Sequence, residues 1–446
     1  MFARYINKGG SMTYNNTDLY SLLSLNDCDI NKDRTTFSVD KSSNITGYIY
    51  LNIKSRECPY CHSHSLNIHD RLIKRLYHPV LKGKNTILFL NQYKFLCRTC
   101  GKTSLQPNTL GDSSITTKGM LYLLNQFRNP RVTFLDASND FFIPRTSIMT
   151  LFDNHIQIER HKLTEVLSFD ENHLSGLTKT SYCCTIYDPI SNTLLDLLDS
   201  RRKNVLEDYF SHVPVSERLN VKYVTMDMWE TYKNISYKMF PKLEYIAVDS
   251  FHVIKHLNEA IDEIRKSIMN QYADRKDSDK AGIYWLLKTF HYFLKEDFDK
   301  IKYSCRPHSH FGYLHDKFEV LSHILNVSET LKAAYELKEE YREFNLVGTH
   351  EEAKVKIPEF IERFKAFPRQ EFRDFGCMLA NWETEIINSF IRVHGKRLSN
   401  GPMESLNGRI DKIMDDGCGY SNFGRFRNRV MFGLNKDEPI TYNKKQ

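Results

Sequence analysis

No apolar run in the 446 residues approaches the roughly 20 residues that a membrane-spanning helix requires. The opening stretch MFARYINKGGSMTYNN also has no apolar core of signal-peptide length, so the chain is expected to act in the cytoplasm. Cysteine is scarce, and four of the ten sit in two Cys-x-x-Cys pairs. Such usage argues against a disulfide framework and points to a metal. Nor is the composition that of a disordered chain, with 41% hydrophobic and 13% aromatic residues. Its length allows about two to four domains and a sizeable core. The net charge of +7 fits a polyanionic partner without requiring one.

The stretch from Val221 to His256 organises the rest. Two short β-rich runs, Val221 to Met226 and Tyr245 to Val248, each end on an aspartate, with a helical segment from Trp229 to Phe240 between them. This reads as a βαβ unit with Asp227 and Asp249 at its carboxyl ends. Ligands bind at that edge of an open α/β sheet because neighbouring connections diverge there. Two carboxylates suggest a metal ion, although an aspartate after a strand equally serves to cap the following helix. Upstream, TEVLSFDENH reads as a strand ending at Asp170, and SYCCTIYDP and NTLLDLLDS as two more, before a helix from Lys203 to His212. Three strands, helix, strand, helix, strand is the order of an RNase H-like α/β catalytic domain, here beginning with residues 163–253. In that fold a carboxylate on the first strand and one after the fourth lie side by side, and a third comes from a late helix.

Residues 1–50 form a polar segment from which little function can be read. Within 51–110, Cys58-Pro59-Tyr60-Cys61 and Cys97-Arg98-Thr99-Cys100 are separated by strand-like runs at Ile73 to Tyr77 and Thr86 to Phe95. Four thiolates on two tight knuckles suit one structural Zn²⁺ in a zinc ribbon, which should unfold without its metal. A redox pair would not need two separated motifs, and a mixed site would exchange one cysteine for His62, His64 or His69. Residues 113–160 carry three helical patterns: Thr116 to Phe127, Val132 to Asp140, and one opened by Pro144. The third has Ile148, Leu151 and Phe152 on one face and Arg145, Thr146, Ser147 and Thr150 on the other. A helix-turn-helix would offer those polar residues to the major groove of DNA, while any three-helix bundle gives the same spacing.

Amphipathic segments at Tyr284 to Leu294, Phe318 to Leu325 and Leu331 to Phe344 make residues 254–395 an expected all-α insertion. Within 396–435, Asn400, Gly401 and Pro402 start a helix whose Met403, Leu406, Ile410 and Ile413 face a core, with Glu404 off that stripe in the first turn. A lone acid there complements the helix dipole. With Asp170 and Asp227 it becomes a third ligand. Arg425, Arg427 and Arg429, interleaved with Phe423, Phe426 and Phe432, suit phosphate contact, and half-buried packing would give the same alternation. Residues 436–446 form a tail.

FDE at Asp170, DM at Asp227, DSFHV from Asp249, SNGPMESLNGRI around Glu404, and the CPYC and CRTC pairs together resemble the ISL-three family of bacterial insertion-sequence transposases. The resemblance runs from about Cys58 to Phe432. It implies a DDE transposase that recognises double-stranded DNA, both terminal inverted repeats and target, as a homodimer or larger assembly at the bacterial nucleoid. Carried over by position, Asp170, Asp227 and Glu404 are the catalytic triad, and Asp249 with His252 form an accessory D-x-x-H element. Three carboxylates in one cleft repel unless divalent cations neutralise them, so two Mg²⁺ or Mn²⁺ ions are expected. One would activate a water and later a DNA 3′-hydroxyl, and the other would stabilise the leaving oxygen. Two other classes compete: a catalytically silent zinc-ribbon regulator and an RNA-processing nuclease. The first gives no reason for three retained carboxylates, and the second leaves the helix-turn-helix unexplained.

Overall fold

Apolar and polar side chains alternate along much of residues 36–105, and in the computed structural model these residues form a five-stranded sheet. The structure describes residues 16–26, 29–53, 57–111, 113–174, 176–178, 180–274, 276–296, 298, 306–307, 314–398 and 401–441. Asn400, expected to open a helix, lies outside the described residues, as do 1–15 and 442–446. The chain divides into two units, Met1–Glu159 with Arg409–Gln446, and Arg160–Gly408.

In the first unit, helix α1 (Asn16–Leu22) precedes strands β1 (Thr36–Val39), β2 (Ile45–Tyr50), β3 (Leu66–Tyr77), β4 (Thr86–Cys97) and β5 (Thr103–Leu105). The order is β1-β2-β4-β3, with β5 also paired to β4. Parallel pairing of β2 with β4 lets Ile45, Ile49, Leu88 and Leu90 share one buried cluster. Helices α2 (Thr117–Gln126), α3 (Phe134–Phe141) and α4 (Arg145–His155) follow. Thr116 caps α2, and Thr133 with Asp136 forms a capping box on α3, which fixes where each helix starts. Phe127, Phe134 and Phe152 then meet with ring centroids 4.8–5.4 Å apart.

The second unit contains β6 (Val166–His173), β7 (Tyr182–Asp188), β8 (Thr193–Leu198), α5 (Lys203–Ser211), α6 (Val215–Arg218), β9 (Tyr223–Met226), α7 (Glu230–Met239) and β10 (Tyr245–Val248). These strands form one sheet, β10-β9-β6-β7-β8, parallel from β10 to β6 and antiparallel from β6 to β8. Strands covered on both faces are apolar nearly throughout. Phe169 on β6 packs against Phe210, Tyr232 and Phe240, and a fully buried side chain of this size stabilises by ~1.5–3 kcal/mol. One expectation needs correcting. β6 does not end at Asp170 but runs on to His173, because antiparallel β7 keeps pairing as far as His173 opposite Tyr182.

Beyond β10 come α8 (Ser250–Asn270), α9 (Ser278–Thr289), a short 3-10 helix at His291–Leu294, the ladder of β11 (Arg306–Pro307) with β12 (Leu314–His315), and α10 (Lys317–Leu325). Then follow α11 (Glu329–Val347), α12 (His350–Lys365), α13 (Gln370–Asn381), α14 (Glu383–Asn388), a second ladder of β13 (Arg392–Val393) with β14 (Lys396–Arg397), α15 (Gly401–Asp416) and α16 (Phe423–Leu434). Neither ladder was expected in a stretch read as all-helical. The second is a two-residue hairpin whose corner, His394 and Gly395, takes the positive φ angles of 50° and 77° that such a tight turn requires.

The basic stretch on α16 is the clearest departure from the sequence reading, which gives Arg425, Arg427 and Arg429 to phosphate. Arg429 is 1% exposed and donates to the carbonyls of Phe127, Asn129, Pro130 and Val132 at 2.8–3.2 Å. These belong to the end of α2 and the turn after it, where helical carbonyls lack intrahelical partners. Arg425 binds Asp153 at 2.5 Å, and Arg427 binds the Ile158 carbonyl at 2.7 Å. A planar guanidinium with five donors can serve several acceptors at once, so the Phe/Arg alternation here is packing. Arg429→Ala should cost roughly 3 kcal/mol or more in denaturant unfolding, because buried carbonyls lose their donor, and Arg429→Lys should recover little. DNA affinity should fall only with the folded fraction; a selective loss of affinity at unchanged stability would contradict this role.

Candidate metal and active site

Strand register brings three aspartates to one edge of the second unit. In the parallel β6–β9 ladder Ser168 stands beside Thr225, and their hydroxyls are 2.5 Å apart. Two residues further along each chain stand Asp170 and Asp227. In the β9–β10 ladder Met226 stands beside Val248, so Asp249 follows at the level of Asp227, its N–H donating to the Met226 carbonyl at 2.9 Å. His252, in the first turn of α8, reaches back so that its Nε2 lies 2.9 Å from Asp227 Oδ1. Ligand atoms of Asp170, Asp227 and His252 all lie within 4.8 Å of one another. Neither α7 nor α8 receives a side-chain cap, so the aspartates before them are not spent as helix caps.

Charge at this edge exceeds what the protein neutralises. Asp170 is 6% exposed, and burial followed by the charge of Asp227 pushes its pKa up to about 7. The Glu171 N–H and the Asn407 amide, each 2.7 Å from one of its oxygens, oppose that rise without cancelling it. Burial alone would keep His252 neutral, but the hydrogen bond and charge of Asp227, with Asp249 and Asp170 adding, raise its pKa above the ordinary value. Glu404 is an exposed residue in the first turn of α15. Its pKa is raised, first by desolvation and then by repulsion from Asp249 and Asp227, so it feels the same cluster while standing outside the 4.8 Å group. Asp249 is buried. An oxygen-rich set with crowded negative charge fits a hard divalent cation such as Mg²⁺ or Mn²⁺.

Sequence reasoning missed two neighbours of this site. Asn407 lies one turn after Glu404 on α15, a spacing that could have marked it. Arg201, after β8, lies over the rings of Tyr182 and Trp229 at 4.3 and 4.8 Å and pairs with Glu171. No periodicity marks an arginine in a loop.

In the first unit, β3 and β4 pair so that Leu66 stands opposite Cys97, which draws the knuckle before β3 onto the one after β4. Cys58 and Cys100 sulfurs are 3.6 Å apart, as are those of Cys61 and Cys97, and all four lie within 4.8 Å. A tetrahedral zinc with bonds near 2.3 Å needs sulfurs about 3.8 Å apart, so the set fits. The Cys100 N–H, working against burial and aided by the Thr99 N–H, brings the Cys97 thiol down to about 6. His62, His64 and His69 are exposed and stand outside this group, and His62 pairs instead with Glu57. Arg145, Thr146, Ser147 and Thr150 are exposed in the first two turns of α4. Among the described residues no helix is long and apolar enough to cross a membrane.

A four-cysteine ribbon, joined to an α/β sheet with aspartates paired at its strand ends, is the make-up of a zinc-ribbon DDE transposase. Residues 167–430 match the family model of the ISL3 DDE domain, described as a transposase, and residues 54–100 match the zinc-finger of transposases IS204/IS1001/IS1096/IS1165. The chain belongs to the ISL3, or ISL-three, family of transposases, as its motifs suggest. It is similar to the transposase for insertion sequence element IS1001 of Bordetella parapertussis, with 22% identity over 251 residues. That match covers 54% of this chain and 59% of the relative, less than two thirds of its length.

The raised pKa of Asp170 fixes a pH dependence. Between its ordinary value of 3.8 and about 7, the folded chain holds a proton that the unfolded chain has released. Stability of the metal-free protein therefore falls as pH rises through that window, by at most roughly 4 kcal/mol from this group. Asp170→Asn should remove the cost and melt higher than the native chain at pH 8 without divalent ions, with the gap closing towards pH 4. Added Mn²⁺ should lift the native melting temperature and leave the variant nearly unmoved. Parallel melting profiles for the two proteins would contradict the charge imbalance.

Proposed function

We propose that this chain is a DDE transposase that binds the terminal inverted repeats of its insertion sequence and carries out metal-dependent DNA strand cleavage and strand transfer. The observation that carries the reading is the convergence of Asp170, Asp227 and His252 at one strand edge of a domain that matches the family. A sheet with β6 central, parallel to β9 on one side and antiparallel to β7 on the other, supports an RNase H-like catalytic core. We assign the ribbon to 51–110, a helix-turn-helix to 113–160, the core to 163–253 completed by 396–435, and the insertion to 254–395.

Asp170 and Asp227 would hold the ions, with Glu404 as the third carboxylate. When bound, two Mg²⁺ or Mn²⁺ ions supply an activated oxygen nucleophile and stabilise the leaving oxygen of an in-line displacement. His252 occupies one oxygen of Asp227 and so orients the other, while buried Asp249 supports the start of α8 that carries His252. Exposed Arg145, Thr146, Ser147 and Thr150 are the groups on α4 suited to read or grip the terminal repeat. Two DNA ends must be brought together, which calls for a homodimer or larger assembly, working at the nucleoid of a bacterial cytoplasm.

The test is cleavage of labelled duplex carrying the element's flanking inverted repeats, with Mg²⁺ or Mn²⁺. The native chain should produce 3′-hydroxyl ends. Asp170→Asn, Asp227→Asn and Glu404→Gln should each abolish them while leaving repeat binding intact. Full cleavage by any one variant would remove that residue from the site, and specific binding without cleavage by the native chain would replace the enzyme with a regulator.

A further inference from the structure

Both oxygens of Asp170 are held. The Glu171 N–H donates to Oδ1 and Asn407 Nδ2 donates to Oδ2, each at 2.7 Å. A carboxylate oxygen has two lone pairs, so these bonds fix the plane of the group and leave one lone pair on each oxygen. Only the NH₂ end of a carboxamide can face an ionised carboxylate. Asn407 Oδ1 is thereby turned away, and it is a buried acceptor with no partner in the protein.

Two more buried polar atoms belong to the same face of the sheet. Thr185 stands opposite Asp170 in the β6–β7 ladder, and Asn172 lies two residues along β6. Facing and alternate residues of such a ladder point to one side. Thr185 Oγ1 and Asn172 Nδ2 also lack hydrogen-bond partners, although Thr185 is 0% and Asn172 4% exposed. Buried polar groups are otherwise almost always paired, and these three belong to residues that bond Asp170, stand opposite it or follow it along its strand.

We propose that Asn407 is a positioning residue for the divalent cation. Its Nδ2 sets the orientation of Asp170, and its Oδ1 accepts from a water in the hydration shell of the ion that Asp170 holds. Mg²⁺ and similar hard ions retain several waters, which gives such an acceptor something to bind. Glu404 and Asn407, one turn apart on α15, then act on the same ions, one as ligand and one through Asp170. The inference rests on the reading of Asp170 and Asp227 as the cation site.

The experiment is Mn²⁺ binding to the full-length chain, read from the electron paramagnetic resonance of free Mn²⁺ without DNA or turnover. The proteins compared are native, Asn407→Ala, Asn407→Leu and Asp170→Asn. Leucine approximates the shape of asparagine and favours a helix, so it serves if the alanine variant does not fold. Loss of an outer-shell partner should weaken Mn²⁺ binding about 10- to 100-fold in both Asn407 variants. Cleavage should then need more Mn²⁺ for half-saturation while approaching the native rate at high Mn²⁺. Unchanged affinity, or a reduced number of sites at unchanged affinity, would reduce Asn407 to a support of the fold and overturn the proposal. Native affinity in Asp170→Asn would instead overturn the cation site itself.

Discussion

Everything at the candidate site follows from one rung of a parallel ladder. Ser168 beside Thr225 places Asp170 and Asp227 at the same level two residues later, where the shared pairing has ended. Two carboxylates so placed repel, and burial denies Asp170 the water that would screen it. His252 answers part of the charge on Asp227, and Asn407 with the Glu171 N–H answers part of that on Asp170. The remainder is a standing demand for positive charge. A divalent cation would meet it, and the stability the apo protein gives up would be recovered as affinity for the ion.

Arg429 shows the opposite treatment of a buried charge. It is 1% exposed, yet four carbonyls accept from it and Phe127 lies against its plane at 5.4 Å. Burial lowers its pKa to about 10, which leaves it charged at neutral pH. A buried charge held by several internal acceptors is structure; a buried charge crowded by its like is a site. The same contrast separates the exposed Arg145 of α4 from the arginines of α16.

What could be read from the sequence was what depends on local spacing or on ligand chemistry. The βαβ unit around Asp227 and Asp249 announces itself by short apolar runs ending in aspartate, and the two Cys-x-x-Cys pairs by the tetrahedral demand of zinc. The helix that carries Glu404 is legible because Met403, Leu406, Ile410 and Ile413 mark its buried face. What could not be read depends on partners far away in the chain. The run of β6 beyond Asp170 is decided by β7, the burial of Arg429 by a turn some 300 residues earlier, and the role of Asn407 by the strand it meets. Alternation of Phe and Arg in α16 gave the same pattern for a phosphate-binding face and for packing, and tertiary contact chose packing.

Anomalous scattering from Mn²⁺ in crystals of the full-length chain tests the central claim most directly, with the ribbon zinc as an internal reference. Manganese peaks should sit on the carboxylates of Asp170 and Asp227 and be lost in Asp170→Asn. Peaks confined to Asp249 and Glu404, or manganese sites indifferent to Asp170, would contradict it.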